Sequence, residues 1–438
     1  MRTAPPGIDR PPAPLFGAAT SLALATDPLG LLERAARLGD VVGLRAVGVD
    51  AVLVNHPEGA WEVLVTNAKR MRKGPTADVL RRVLGDGLLT SEDPVHRRQR
   101  QLLQPAFSRE AVAGYAIHAA DLAARRADRW IPGRPIDLVA QMRFLALEIV
   151  VRALFGAGVD AGRAAAVADA IGTMVDGMRR LRLPGGRLLE RVRTPGVRGV
   201  ERARDDLDRE LALIVAEGRD DTSLAGSLRS AGDPRQVRDE LMTLLVAGHE
   251  TTAAALAFAW EAIAASPPAE AALHAELDDV LAGRDPAPTD LEELPFTGAI
   301  VHETLRLFPP SWAIARRCRE RSVLAGTPVP EGTTIVVSPW LLHRDPRWWN
   351  DASSFLPERW GVRERGAHRP SERGAYLPFG AGPRACIGAP LANAELVLAL
   401  ATIGRRWRLR PVSADPLRLQ AVVTLRPRGS RWVVPVPR

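Results

Sequence analysis

The chain has 438 residues, 46% hydrophobic and 25% charged, enough apolar material to bury a large core without a disulfide or metal staple. Its two cysteines, Cys318 and Cys386, exclude a disulfide framework and a Cys-rich zinc ribbon. The net charge of +8 would suit nucleic acid, but the charge is spread along the chain and interleaved with 51 acids, which argues against that class.

The N-terminal arm is Pro-rich to about residue 14, and its best apolar run, residues 15–25, is interrupted by Gly, Thr and Ser. A membrane helix needs about 20 apolar residues and a secretory signal a cleaner block, so no membrane span is expected and the protein reads as cytoplasmic. Residues 41–57 alternate apolar and polar positions, predicting a hairpin with its turn near Gly48 and Asp50. Residues 58–282 read as mostly helical, with breaks at Gly74-Pro75, Pro132-Gly133, Pro184-Gly185-Gly186 and Gly232-Asp233-Pro234. A helix is predicted over 295–307, where Pro295 suits the first turn and Pro309-Pro310 stops it. Short β-like runs follow at 332–338, 421–425 and 432–436, with a Pro/Gly/aromatic-rich coil over 345–390 and a helix over 391–405 between them. No repeat or polar linker divides the chain, which is read as a single, mainly α domain over 1–438 with small peripheral sheets. A coil as long as 345–390 points to function.

That coil ends in Phe379-Gly380-Ala381-Gly382-Pro383-Arg384-Ala385-Cys386-Ile387-Gly388, just before a helix. A cysteine there lies near the positive end of a helix dipole and close to Arg384, both of which favour thiolate. The ordinary fate of a lone cysteine is burial as a small hydrophobe. Gly380-Ala381-Gly382-Pro383-Arg384-Ala385 also fits a dinucleotide fingerprint, but that motif must follow a buried strand, and the preceding segment is polar and proline-bounded.

The F-G-x-G-x-R-x-C-x-G pattern resembles the haem-thiolate loop of the cytochrome P450 monooxygenases. The resemblance implies that Cys386 is the axial iron ligand of a haem b, that Arg384 meets a haem propionate, and that Phe379 and Gly388 are cofactor-binding positions of the same loop. In that family the thiolate pushes electron density onto the iron and favours O–O cleavage.

Four further motifs occur in the expected places. Ala247-Gly248-His249-Glu250-Thr251-Thr252 sits in a helical pattern, where glycine and paired threonines weaken the helix locally. It reads equally as an ordinary buried helix; a metalloprotease site fails because position 253 is Ala253. It resembles the family's A-G-x-[D/E]-T, which implies that Thr251 is the hydrogen-bonding hydroxyl beside the haem and that Glu250 relays protons from solvent. Glu303 and Arg306 share a helix face and resemble the family's E-x-x-R, which Arg359 would complete as a structural triad. His96 and Arg100 also share a helix face, leaving Arg97 and Arg98 turned elsewhere. By resemblance the first two reach a propionate, with His96 where many relatives have tryptophan. Arg316 stands where a further propionate-binding arginine is expected, with Arg317 adjacent. Ala247, Gly248, Trp312 and Thr424, together with segments 71–89, 159–200, 311–315 and 421–425, are expected to line the substrate pocket.

The implied fold is an α-rich triangular domain. The implied reaction inserts one atom of O2 into a hydrophobic small molecule of terpenoid, fatty-acid or polyketide type, within secondary metabolism. No flavin or iron–sulfur segment is visible up to Arg438, so electrons are expected from a separate ferredoxin and ferredoxin reductase. A basic face formed by Arg97 and Arg98, extended by Arg405 and Arg406, would suit an acidic ferredoxin. A haem-thiolate peroxygenase or isomerase is the alternative enzyme, and a haem sensor or carrier the non-catalytic one. The Glu250-Thr251 pair favours oxygen activation, because that chemistry consumes protons in an apolar pocket.

Overall fold

The axis of the molecule is the 32-residue helix Pro234–Ala265, which opens on Asp233 and Pro234 and is buried along almost all of its inner length. At 1.5 Å per residue it spans about 48 Å, long enough to carry side chains to several separate layers. It is also the one described helix long and apolar enough to cross a membrane, and most of its apolar stretch is covered by protein. The helix Leu138–Phe155 packs along it, started by Asp137, whose carboxylate accepts from Val139 and Ala140, and ended by left-handed Gly156. The last helix, Ala389–Arg406, lies against Arg109–Ala127, whose buried face is built from Ala116, Ala119, Ala120, Ala123 and Ala127. Small side chains there let the two backbones approach closely. The computed structural model describes residues 17–46, 49–156, 161–181, 195–217, 224–231, 233–361 and 374–438.

The largest sheet has five strands in the order Val41–Ala46, Val49–Val54, Thr334–Val337, Ile314–Cys318, Met71–Lys73. The first two form the expected hairpin, with Val42 opposite Leu53; its turn at Gly48 lies outside the described residues. Met71–Lys73 lies within the stretch read as helical, and is instead a strand that pairs antiparallel with Ile314–Cys318. Its three residues are too few to show a period, so only the partner strand creates it. The break at Gly74-Pro75 is where the helix Pro75–Leu84 begins. Helix Pro295–Leu307 matches the predicted bounds, and the last helix begins at Ala389, two residues before the predicted start. The tail adds the hairpin Leu419–Ala421/Leu425–Pro427 and the strand Trp432–Pro437, which pairs with Trp407–Pro411. The arm over residues 1–14 and the break at 184–186 lie outside the described residues, and segment 159–200 is described only in part.

Candidate active site

The cysteine loop is shaped by glycine where nothing else fits. Gly380 and Gly382 adopt left-handed φ values of 68° and 71°, and a Cβ on Gly382 would sit 2.1 Å from the Leu64 carbonyl oxygen. The Cys386 N–H donates to the Phe379 carbonyl at 2.9 Å, closing the loop. The backbone N–H groups of Gly388 and Ala389, at the start of the last helix, point at the sulfur. Burial is the largest influence on the Cys386 thiol and pushes its pKa up, against those N–H groups and the charge of Arg100. The sequence expectation of a thiol favoured as thiolate by Arg384 is thus corrected: the cation acting on the sulfur is Arg100, which donates to the Ala385 carbonyl at 2.7 Å, and burial outweighs it. A metal would remove the proton outright.

Cys386 is nevertheless exposed. A thiol that is accessible yet dominated by burial borders an internal space, not the outer surface. The long helix has a matching opening. Between Glu240 and Trp260 every residue is buried except Ala247, Gly248 and Thr251, which lie along one stripe. The Thr251 hydroxyl donates to the Ala247 carbonyl at 2.6 Å, the local bond that competes with regular helix. Gly248 is required from the other side, because a Cβ there would come within 2.8 Å of Val150 Cγ2 on helix Leu138–Phe155. His249 is fully buried with Nε2 3.1 Å from the Arg143 carbonyl, and burial drives its pKa down to about 3. The Glu250 carboxylate accepts from Arg426 Nη1 and from Thr424 Oγ1, each at 2.8 Å.

Two of the residues expected to line the pocket are buried. Trp312 is buried in a core cluster with Leu53, Phe258, Trp340 and Leu425, and Thr424 is buried with its hydroxyl on Glu250. The tail hairpin packed on the long helix buries both.

Beside the cysteine loop the structure gathers more positive than negative charge. Lys73 and Arg316 stand directly opposite each other on neighbouring strands, an arrangement in which like charges destabilise a sheet. Burial, then the charges of Arg384 and Arg316, lowers the Lys73 pKa to about 7; its ammonium donates to the carbonyls of Leu88 and Leu89. Burial and Arg384 lower Arg316 to about 10. His96 is buried 3.4 Å from Asp93, and burial, Arg384 and Lys73 lower its pKa to about 4. Arg384 pairs with Glu92 at 2.9 Å and donates to the Ser91 carbonyl at 2.9 Å. Arg317 points away, 4.0 Å from Asp78, so strand alternation makes Arg316 the inward arginine. Glu92 must serve Arg384, Arg319 and the Lys73 backbone N–H together. Buried cations persist when paired, so this cluster fits a group carrying two negative charges. Haem, with its two propionates, is such a group. Lys73 is not legible in the sequence as part of the site, since its place depends on a strand too short to show a pattern.

Lys73 therefore carries a pH prediction. An anion raises the pKa of Lys73, so its contribution to haem retention is complete below pH 7, the value without the anion, and is lost as pH climbs above it. Haem transfer from the holoprotein to a haem-free globin acceptor should speed up above pH 7, and Lys73→Met should be faster than the parent below pH 7 and converge with it as pH rises, with a flatter pH dependence. Identical rates for the variant and the parent at about pH 6 would remove Lys73 from the site.

The loop is braced from behind. Glu303 and Arg306 are fully buried and paired through both carboxylate oxygens at 2.8 Å. Arg306 also donates to the carbonyls of His343, Ala352 and Ser354. Arg359 donates to Glu303 at 3.0 Å, and Trp360 Nε1 and the Leu356 N–H complete its shell. Burial alone would raise the Glu303 pKa, but the Arg306 hydrogen bond and charge outweigh it, and the carboxyl is held low. His343 links this brace to the cysteine loop: Nδ1 faces the Arg306 carbonyl at 3.2 Å and Nε2 accepts from the Leu377 N–H at 2.8 Å. Cys318 lies in the sheet against Met71, buried, with burial raising its thiol.

Comparison with known proteins agrees with this geometry. The family model "Cytochrome P450" matches residues 5–432. Cyclooctatin synthase of Streptomyces melanosporofaciens is 35% identical, covering 97% of this chain and 94% of that protein. Cyclooctat-9-en-7-ol 5-monooxygenase from the same organism is 37% identical, covering 92% and 89%. Pentalenene oxygenase of Streptomyces avermitilis is 34% identical, covering 92% and 94%. A crystal structure of the heme domain of a cytochrome P450DA mutant shares the fold at TM-score 0.86 with 24% identity, covering 98% of each chain. With a family match over nearly its whole length, the chain belongs to the cytochrome P450 family and is a haem-thiolate monooxygenase that acts with O2 and a redox partner on a hydrophobic substrate.

Proposed function

We propose that this enzyme oxygenates a cyclic terpenoid, holds haem b, and receives electrons from a ferredoxin and its reductase in the cytoplasm. The unbalanced cation cluster beside the cysteine loop carries the haem part of this reading. Cys386 would hold the iron, and Lys73, His96, Arg100, Arg316 and Arg384 would hold the propionates. When bound, the haem supplies activation of O2, one atom of which passes to the substrate while the other leaves as water. The chain does the rest. The buried flanks of the long helix exclude water, and Ala247 and Gly248 leave room for a bulky apolar skeleton. The Thr251 hydroxyl can turn from the Ala247 carbonyl to hold a proton, and Glu250 resupplies it.

The terpenoid class is supported by the names of relatives, two of which refer to cyclooctatin chemistry and one to pentalenene. The ferredoxin is supported by Arg97 and Arg98. With His96 buried and Arg100 on the cysteine loop, both are exposed on the outer side of helix Val95–Leu103. Arg405 and Arg406, expected to widen this face, are instead paired with Asp285 at 2.8 and 2.6 Å. The smaller basic face rests on Arg97 and Arg98.

One experiment tests both parts. Titration with cyclic terpene alcohols should shift the Soret band, and turnover with NADPH, ferredoxin and reductase should give an oxygenated product. Arg97→Glu with Arg98→Glu should slow reduction and weaken its salt dependence, leaving the Soret shift intact. Absence of any shift across the terpenoid panel would overturn the substrate class; unchanged reduction at every salt concentration would overturn the docking face.

A further inference from the structure

The long helix presents two acids to the C-terminal segment. Glu250 and Glu261 are eleven residues apart, about three turns, and so lie on nearly the same stripe. Arg431 grips Glu261 through both oxygens at 2.9 and 2.8 Å, and its backbone N–H donates to Asp137. That pairing docks the segment. The other differs: Glu250 has one oxygen on Arg426 and the other on the Thr424 hydroxyl. Arg426 is also held from outside, Nε donating to Gln420 Oε1 at 3.1 Å across the hairpin. Leu425 fixes the hairpin's height: it is fully buried and its N–H donates to the Pro310 carbonyl at 2.9 Å. The Arg426 side chain is 19% exposed and that of Glu250 is 8% exposed, so the arginine is the more accessible member of the pair.

We propose that Arg426, with Thr424, is a positioning residue for Glu250, and that the hairpin Leu419–Pro427 forms the outer half of the path by which protons reach Thr251. In the observed state the carboxylate is turned to the hairpin, while the Thr251 hydroxyl is bonded within its own helix. Water at the Arg426 edge protonates the Glu250 carboxylate. The neutral acid loses its attraction to the guanidinium, swings toward Thr251, and gives up the proton there. The carboxylate then returns to Arg426. One proton enters and one leaves, and no electron moves. Without Arg426 only the uncharged Thr424 hydroxyl is left to draw the carboxylate back to the hairpin edge to be recharged. This rests on the relay role of Glu250 in the proposed function.

The test compares three variants of the holoenzyme. Arg426→Leu should keep its haem and its carbon monoxide spectrum, yet divert several-fold more reducing equivalents to hydrogen peroxide, and Arg426→Lys should recover most of the coupling. Arg431→Leu should lower the unfolding midpoint while leaving coupling at the parent value. A double-mutant cycle of Glu250→Gln and Arg426→Leu, read by thermal unfolding, should be non-additive, as for groups in contact. Normal coupling in Arg426→Leu, equal uncoupling in Arg431→Leu, or an additive cycle would each overturn the proposal. If Arg426→Leu retains too little haem to assay, Thr424→Val replaces it and should show a smaller uncoupling in the same direction; unchanged coupling there would overturn the proposal. Normal coupling in Glu250→Gln is a separate outcome, which would remove the relay role itself.

Discussion

Glu303→Ala is expected to leave the chain largely without haem and close to unfolded. Glu303 is the common acceptor for the buried Arg306, Arg359 and Trp360 and for the Leu356 N–H, and is itself fully buried. Removing one partner of a buried ion pair costs about 3–5 kcal/mol, because the remaining charge is left unpaired in a poor solvent. Here two guanidinium groups lose their counter-charge, against a total stability of about 5–15 kcal/mol for a typical domain. Arg306→Lys should be nearly as damaging. A single ammonium cannot reach two carboxylate oxygens and three carbonyls in one plane. Denaturant unfolding and the haem-to-protein ratio check both variants. Parent-level haem occupancy in Glu303→Ala would show that the brace does not hold the cysteine loop.

Cys386→Ala should abolish the long-wavelength absorption of the reduced carbon monoxide complex and all oxygenation, while Cys318→Ala should retain both. The two thiols differ by location. Cys386 borders an internal space with two backbone N–H groups on its sulfur, whereas Cys318 lies in the sheet against Met71. The cations that would grip the propionates remain in Cys386→Ala, so residual haem without the thiolate signature is the expected product. Retention of that signature by Cys386→Ala, together with its loss from Cys318→Ala, would transfer the ligand role to Cys318.

The local chemistry is legible in the linear chain. The glycines of the cysteine loop, the Pro295 start and the Pro309-Pro310 stop, and the Glu303/Arg306 spacing are properties of adjacent or near-adjacent residues, and helix Pro295–Leu307 follows them. So does the shared face of His96 and Arg100, since a helix puts i and i+4 on one side. Other features depend on segments far apart in sequence. Met71–Lys73 becomes a strand only because Ile314–Cys318 lies beside it, and that pairing brings Lys73 to Arg316. Trp312 and Thr424 are pocket positions by the family resemblance alone, and it is the tail hairpin packed on the long helix that buries Trp312 and sets Thr424 on Glu250. Arg405 and Arg406 read as an open basic face, yet Asp285 lies across from them and pairs with both. The physical reason is the same in each case. A residue's backbone preference and its face on a helix are set within one turn of chain, whereas its burial and its counter-charge are set by whichever distant segment the core draws against it.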